Sequence, residues 1–355
     1  MTTYNFNGLY PDSELDILRN HLRRFWQGDI STVYSSYPID FEYRQLENIE
    51  EMAENAVLNL AAGVGMPGCN IPRLVIDFGT VSTAAFWGGK VSVPEGGRKW
   101  INPVIHNAED VENMKADKPG TGDVKKGYEL WKKVCVNMES DGIPCTNIDL
   151  QGPLNTLSLV WEQQDFMMAM YDYPEKVHKA LEMVTGQLIK NINSIRNLIP
   201  TIEAPLWPYI WIPDDIGIGI TEDYMPLLSP ELYKEFGIPY VKKISDEFGG
   251  LFIHCCGQFT HHIENLVESG INIIGLEFVY PNIDIEKLFS VFGPKAVFVP
   301  NIMDKCIPEF GSMTGYFNHI QDKREEGTRL WYILRPDLDD FTEQVRLMEI
   351  IADAI

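Results

Sequence analysis

The sequence predicts an α/β protein built on a parallel sheet. Apolar runs typical of buried strands alternate with helical patterns through the second half of the chain, in at least four successive βα units. Polar residues follow several of these runs directly, as expected where the carboxyl ends of parallel strands build a site. The chain has 355 residues, 45% of them hydrophobic, which suits one large barrel or two ordinary domains.

The first part of the chain, residues 1–70, is predicted to be mostly helical. A helix over 12–28 carries apolar residues at helical spacing, and a second over 48–65 begins with an acidic turn that suits the helix dipole. The first predicted strand, 73–78, ends close to Asp77. A carboxylate there either caps the next turn or serves a site, because burying it unpaired is costly.

The central segments continue the pattern. A helix, a strand and a long amphipathic helix are predicted at 127–142, 143–150 and 173–198. In the segment 197–230, the four prolines from 200 to 213 are interspersed with Trp207, Tyr209 and Trp211, and Glu222 and Asp223 follow. A long segment of this kind is typical of a lid or binding wall, or of an apolar cluster beneath a loop.

Beyond residue 229 the alternation becomes regular. Strands are predicted at 250–257, 271–278, 295–303 and 330–336, and helices at 229–249, 259–270, 284–293 and 341–355. Polar residues stand at six apparent strand ends: Asp77, His254, Cys256, Glu277, Asn301 and Arg335. Because the carboxyl ends of parallel strands meet at one edge, we expect these side chains to line a common site.

The segment LFIHCCG, residues 251–257, predicts the centre of that site. Side chains alternate along a strand, so His254 and Cys256 face one side and Cys255 packs on the other. Imidazole and thiolate together are donors that zinc prefers. The alternative is a buried thiol beside a hydrogen-bonded histidine. A zinc site needs a third ligand from elsewhere in the chain.

Composition excludes several classes of protein. The chain has 29 basic and 51 acidic residues, a net charge of −22, which argues against binding to nucleic acid or to an anionic membrane surface. No apolar run is long enough to span a bilayer, and the amino terminus lacks the pattern of a secretory signal. The six cysteines have no regular spacing, so we expect free thiols in a cytoplasmic protein. No dinucleotide fingerprint, P-loop or nucleophile elbow is present.

Six segments together resemble the uroporphyrinogen decarboxylase superfamily. They are LVIDFGTVSTAAFWGGKV, DLQGPLNTLSLV, YPEKVHKALEMV, LLSPELYKEFGIPYVKKI, LFIHCCG and VESGINIIGLEF. The resemblance implies a (β/α)8 TIM barrel with helical additions at the amino terminus. It implies one domain over 1–355, with a helical extension at 1–70 and a barrel at 71–355, and a homodimer is reasonable by comparison with relatives.

The two branches of this superfamily fit unequally. The decarboxylase branch carries an arginine-rich segment that grips the acid groups of its substrate, whereas the matching region here contains only Arg44. The aspartate of the decarboxylase strand motif does match Asp77. The cobalamin-dependent methyltransferase branch binds zinc through His-x-Cys and a distant cysteine. His254 and Cys256 match the first part, but the late cysteine is absent, which leaves Cys306 or Glu277 as the third ligand.

The methyltransferase resemblance implies zinc-assisted methyl transfer with a corrinoid, or cobalamin, carried by a partner protein. The zinc either activates a thiol or polarises a methoxy oxygen. The site residues that we predict are, as catalytic groups, Asp77, Asp223 and Glu277; as substrate contacts, Gln151, Trp207, Tyr209, Trp211, Glu222, Asn301 and Arg335; and as metal ligands, His254, Cys256 and Cys306. Glu277 has a further alternative, an ion pair with Arg335 across the barrel mouth.

Two other functions stay open on the sequence alone. One is a decarboxylase-like lyase that acts on a smaller acid through Asp77. The other is a barrel that binds a tetrapyrrole or small molecule without turnover.

Overall fold

The computed structural model describes residues 3–36, 48–93, 99–205 and 207–353. The strands in these ranges are β1 Thr32–Ser36, β2 Val91–Ser92, β3 Trp100–Ile101, β4 Cys145–Thr146, β5 Ile202–Ala204, β6 Ile218–Thr221, β7 Leu251–Cys255, β8 Ile273–Tyr280, β9 Val297–Ile302 and β10 Arg329–Leu334. The α-helices are α1 Phe6–Leu9, α2 Asp12–Gln27, α3 Ile49–Ala62, α4 Ser82–Ala85, α5 Gly122–Asn137, α6 Pro153–Val160, α7 Gln163–Asp172, α8 Pro174–Leu198, α9 Pro230–Phe236, α10 Ile238–Phe248, α11 Ile263–Glu268, α12 Ile285–Phe292, α13 Met313–Asp322 and α14 Phe341–Ile351. None of these helices is both long and apolar enough to cross a bilayer.

A parallel sheet forms most of the barrel wall, with strand order β1-β10-β9-β8-β7-β6. β4 and β5 pair in parallel and continue the wall. Isolated bridges from Leu74 to Cys145 and from Gln151 to Thr221 connect the extended residues 73–78, β4 and β6. Helices follow the strands along the chain, so the predicted (β/α)8 barrel is confirmed.

β1 is a strand in a region for which the sequence predicts helices. It pairs in parallel with β10, from Thr32 opposite Leu330 to Ser36 opposite Leu334. The barrel therefore begins before residue 71, and the predicted boundary between a helical extension at 1–70 and a barrel at 71–355 is wrong. The TVYSS strand is short and mostly polar, so its hydropathy does not distinguish it from a loop. Arg44 lies outside the described residues.

Helix α2 closes the amino end of the barrel. Its Phe25 and Trp26 pack with Val33 and Trp331, which belong to the same buried apolar cluster. Arg329, the first residue of β10, donates hydrogen bonds to the backbone carbonyls of Phe25 at 3.3 Å and Trp26 at 2.6 Å. Because this end is filled by α2, the opposite end, where the strands terminate, is the one available for a site.

Candidate functional site

The carboxyl end of β7 presents two metal-type donors on one side. His254 is the fourth residue of this strand and Cys256 follows it, so their side chains share a face. Cys255 is buried on the other side, whereas Cys256 is exposed and His254 is partly buried. This is the arrangement that the LFIHCCG pattern predicts.

Asp223 completes a three-residue cluster with these two. One donor atom from each of Asp223, His254 and Cys256 can be chosen so that all three lie within 4.8 Å of one another. The Oδ1 atom of Asp223 accepts a hydrogen bond from the Cys256 N–H at 2.8 Å, and Oδ2 lies 3.8 Å from His254 Nε2. The register explains the meeting: Thr221 pairs with His254, so the residue two positions beyond Thr221 arrives beside Cys256. The sequence predicts a catalytic role for Asp223, not this place among the metal-type donors.

Neither of the two residues predicted as the third ligand belongs to this cluster. Cys306 lies in the 3-10 helix Asp304–Phe310 after β9, and its side chain is buried in the apolar core. Its thiol contacts Glu309 and is not one of the three clustered donors, so the prediction of Cys306 as a ligand is wrong for the arrangement seen among the described residues. Glu277 instead contacts the Nδ1 atom of His254.

Glu277 and His254 are direct partners across β8 and β7. The Oε2 atom of Glu277 lies 2.5 Å from Nδ1 of His254, and the glutamate side chain is almost completely buried. Burial lowers the pKa of His254, but the nearby Glu277 carboxylate outweighs this effect and holds the pKa well above its usual value. The carboxylate therefore engages Nδ1, which leaves Nε2 directed to Asp223 and Cys256.

Asn301 and Arg335 have different neighbours at the barrel mouth. Asn301 donates from Nδ2 to the Oε1 atom of Glu277 at 3.2 Å, so it helps to orient that carboxylate. Arg335 binds Asp304 at 2.8 Å and makes two hydrogen bonds with Asp337. The alternative of an ion pair between Glu277 and Arg335 is therefore wrong, because two nearer carboxylates occupy the guanidinium.

Two buried carboxylates lie in neighbouring extended segments of the barrel wall, a few residues after the bridge from Leu74 to Cys145. Asp77 accepts a hydrogen bond from the Gly79 N–H at 2.7 Å. It therefore caps the turn that follows it, which is one of the two roles predicted for this carboxylate. Asp149 is not among the residues that the sequence predicts for the site, because the polar pair Thr146 and Asn147 precedes it and no apolar run marks it as a strand end. Burial, together with the charge of Asp77, raises the pKa of Asp149 to about 7. Gln151 donates to Asp149 at 2.7 Å, and this buried amide is part of an internal hydrogen-bond network.

The three aromatic residues predicted as a substrate wall separate in the structure. The rings of Trp207 and His254 lie 6.1 Å apart, and Tyr209 packs on Trp207 at 4.6 Å. Trp211 instead lies in the apolar cluster inside the barrel, and its indole N–H donates to Glu203 at 3.0 Å. Trp207 therefore borders the candidate site, with Tyr209 behind it, and the prediction for Trp211 is wrong.

Glu222 faces away from its neighbour Asp223. Its side chain is completely buried, and Tyr233 donates to its Oε2 atom at 3.3 Å. Burial raises the pKa of Glu222 to about 8, so the carboxyl is neutral near pH 7. The prediction that Glu222 contacts a substrate is therefore wrong for this arrangement. Its side chain contacts Tyr233 of helix α9 instead, between the barrel wall and that helix.

Comparisons with known proteins relate this site to one family. The sequence model of the uroporphyrinogen decarboxylase (URO-D) family matches residues 217–307. This segment contains Asp223, His254, Cys256, Glu277 and Asn301. A search of curated protein sequences finds no match.

A solved structure shares the fold at low sequence identity. A methyltransferase from Methanosarcina mazei superposes with a TM-score of 0.62 at 16% identity, over 89% of this chain and 92% of that one. A protein described as a candidate vitamin-B12-independent methionine synthase from Listeria monocytogenes gives a lower TM-score of 0.45 at 12% identity, over 98% of this chain and 95% of that one. The predicted resemblance is thus confirmed: the chain is a (β/α)8 barrel whose residues 217–307 match the uroporphyrinogen decarboxylase family.

Proposed function

We propose that this protein is a methyltransferase that uses zinc held by Asp223, His254 and Cys256. The observation that carries the proposal is the convergence of three different donor atoms within 4.8 Å at the barrel mouth. Imidazole, thiolate and carboxylate are all zinc ligands, and three protein ligands with one open position are typical of catalytic zinc sites. The reaction class is supported by the fold shared with the methyltransferase from Methanosarcina mazei.

The surroundings of the three donors fit a bound metal. Glu277 accepts the hydrogen on Nδ1 of His254, and this fixes the tautomer whose Nε2 lone pair is available to a metal. Asp223 uses Oδ1 to bind the Cys256 N–H, so Oδ2 is the oxygen left to act as a ligand. Cys256 is exposed at the mouth, where a substrate can reach the same space.

The chain's own residues suggest how the chemistry would be supported. Bound zinc would lower the pKa of a thiol substrate, or would polarise the oxygen of a methoxy substrate. With a thiol, the displaced proton needs an acceptor, and Asp149, whose pKa is about 7 and which interacts with the charges of His254 and Asp223, can take it. Trp207 would form one wall of the substrate space. We place the corrinoid on a separate partner protein, because the described residues form the barrel alone.

The proposal is tested first by the metal and then by the reaction. Protein purified without chelator should contain about one zinc per chain, and His254→Ala should reduce this strongly. The wild-type protein should demethylate free methylcobalamin in the presence of 2-mercaptoethanol, which is followed by the cobalamin absorbance. Absence of zinc from the wild-type protein, with no effect of His254→Ala on demethylation, would refute the proposal.

A second candidate function is a carboxy-lyase. The observation that favours it is the pair of buried acids Asp77 and Asp149, because a protonatable carboxyl beside a carboxylate can deliver a proton to carbon after loss of carbon dioxide. Such an enzyme should release carbon dioxide from an acid substrate after zinc has been removed, and Asp77→Ala should abolish the release. Release that depends on zinc and survives Asp77→Ala would exclude this candidate.

A further inference from the structure

We propose that Asn155 is a positioning residue that holds Asp223 in place for the metal, at the end of a chain of side-chain amides anchored on Asp149. This inference rests on the metal site of the proposed function. Asn155 lies in the first turn of α6, which follows β4, whereas Asp223 follows β6. The Oδ1 atom of Asn155 accepts a hydrogen bond from the N–H of Tyr224 at 2.7 Å. Tyr224 is the residue directly after Asp223.

Two more hydrogen bonds fix Asn155 itself. Its Nδ2 atom donates to Oε1 of Gln151 at 2.9 Å. The Nε2 atom of Gln151 donates in turn to Oδ1 of Asp149 at 2.7 Å. Asp149, Gln151 and Asn155 are all buried, at 2%, 4% and 5% exposure, so water does not compete for these contacts.

The two ends of this chain determine the direction of every bond in it. The backbone N–H of Tyr224 can only donate, so it requires the oxygen of Asn155. Asn155 then presents its nitrogen to Oε1 of Gln151, which leaves the nitrogen of Gln151 to donate to Asp149 at the other end. Turning either amide over would place like groups against each other and would break two hydrogen bonds. The chain therefore has one stable arrangement, and Asn155 has one position.

Asp223 lies between two anchor points of its own backbone. On one side, the N–H of Glu222 donates to the His254 carbonyl at 2.8 Å, which ties the segment to β7. On the other side, the N–H of Tyr224 is held by Asn155. The first anchor orients Asp223 with respect to His254, and the second limits its freedom to swing out of the mouth. The Tyr224 ring is itself buried, and its hydroxyl lies 2.9 Å from Sδ of Met167, so loss of the Asn155 contact would loosen the backbone at Asp223 without releasing the segment.

The expected effect is a loss of metal affinity in a folded protein. Asn155→Leu keeps the size of the side chain but cannot accept from Tyr224, and we expect zinc affinity to fall about 10- to 100-fold, the usual range for residues that orient a metal ligand. Gln151→Leu acts one step further away and should cause a smaller loss. Because both changes break the same chain, the double variant should bind zinc no more weakly than Asn155→Leu alone.

Two properties of each variant are compared with those of the wild type. The first is the zinc affinity, measured by competition with a chromophoric chelator, and the second is the absorption spectrum of Co²⁺ bound in place of zinc. Asn265→Leu is the control, since the Asn265 amide likewise makes a hydrogen bond with the backbone, in this case donated to the Pro230 carbonyl at 2.6 Å, without contacting the cluster. It should keep wild-type affinity and spectrum, whereas Asn155→Leu should weaken binding and alter the cobalt spectrum. Folding of each variant is checked by circular dichroism.

Wild-type affinity and an unchanged cobalt spectrum in a folded Asn155→Leu protein would overturn the inference. If that variant does not fold, Gln151→Leu decides the question, and unchanged zinc affinity there would overturn it equally. A wild-type protein that binds no zinc would instead remove the proposed function, before any variant is compared.

Discussion

The Oε2 atom of Glu277 lies 2.5 Å from Nδ1 of His254, and the two residues are direct neighbours across β8 and β7. This contact gives the two ring nitrogens different tasks, because the nitrogen bound to the carboxylate cannot also be a metal ligand. Nε2 is left on the side of Asp223, 3.8 Å from its Oδ2 atom. The contact also explains why Glu277 is a supporting residue of the candidate site and not a ligand.

Glu277→Gln should therefore weaken zinc binding without removing it. The amide oxygen can still accept from Nδ1, but it lacks the charge that makes the imidazole a stronger donor, and a loss of about 10-fold in zinc affinity is expected. Competition with a chelator measures it, and Glu264→Gln on the exposed surface serves as the control. Equal affinities for the two variants would show that Glu277 does not act on the metal through His254.

Substitution of two cysteines should distinguish the cluster from the predicted alternative. Cys256→Ala removes a donor of the cluster and should abolish stoichiometric zinc binding, whereas Cys306→Ala should leave it unchanged because that thiol packs in the core. Zinc content after dialysis, measured by atomic absorption, gives the comparison. Zinc lost from Cys306→Ala and retained by Cys256→Ala would reverse the assignment.

Gly152→Ala should destabilise the fold. A Cβ atom at this position would lie 1.6 Å from Oε1 of the buried Glu222, so the carboxyl would have to move. Overpacking of this kind costs about 1–3 kcal/mol. Gly186→Ala is the matched control, since a Cβ there meets nothing within 4 Å in the interior of α8, and alanine favours a helix by about 0.5–1 kcal/mol. Urea unfolding measures both, and a Gly152→Ala protein as stable as wild type would contradict the packing of Glu222.

Stability should fall as the pH rises, through Glu222. Its pKa is about 8 in the folded protein against a usual 4.5, so the unfolded chain loses this proton first. The contribution of this group is complete below about pH 4.5 and is lost towards pH 8, with a slope approaching 1.4 kcal/mol per pH unit. Glu222→Gln, which is always neutral, should flatten the dependence of the unfolding free energy on pH in this window.

The corresponding control is Glu264→Gln, which should keep the wild-type slope because that side chain is 80% exposed. An unchanged slope in Glu222→Gln would show that Glu222 ionises normally in the folded protein.

The sequence by itself determined the features that depend on local periodicity. The βα alternation predicted the barrel, and the period of two along LFIHCCG predicted that His254 and Cys256 share a face, because both patterns follow from backbone geometry over a few residues. Polar residues after apolar runs likewise predicted the placement of Asp77, Glu277 and Asn301 at one end of the wall.

Only the tertiary structure decided which of these residues meet. Asp223 reaches Cys256 because β6 pairs with β7 in one particular register, and Arg335 turns to Asp304 because of a helical turn after β9. Trp211 belongs to a segment whose composition is typical of a binding wall, but its side chain is buried inside the barrel. Strand register and side-chain packing bring together residues that are distant in sequence, and no local sequence pattern contains such contacts. For this reason the third donor of the cluster could not be chosen from the sequence.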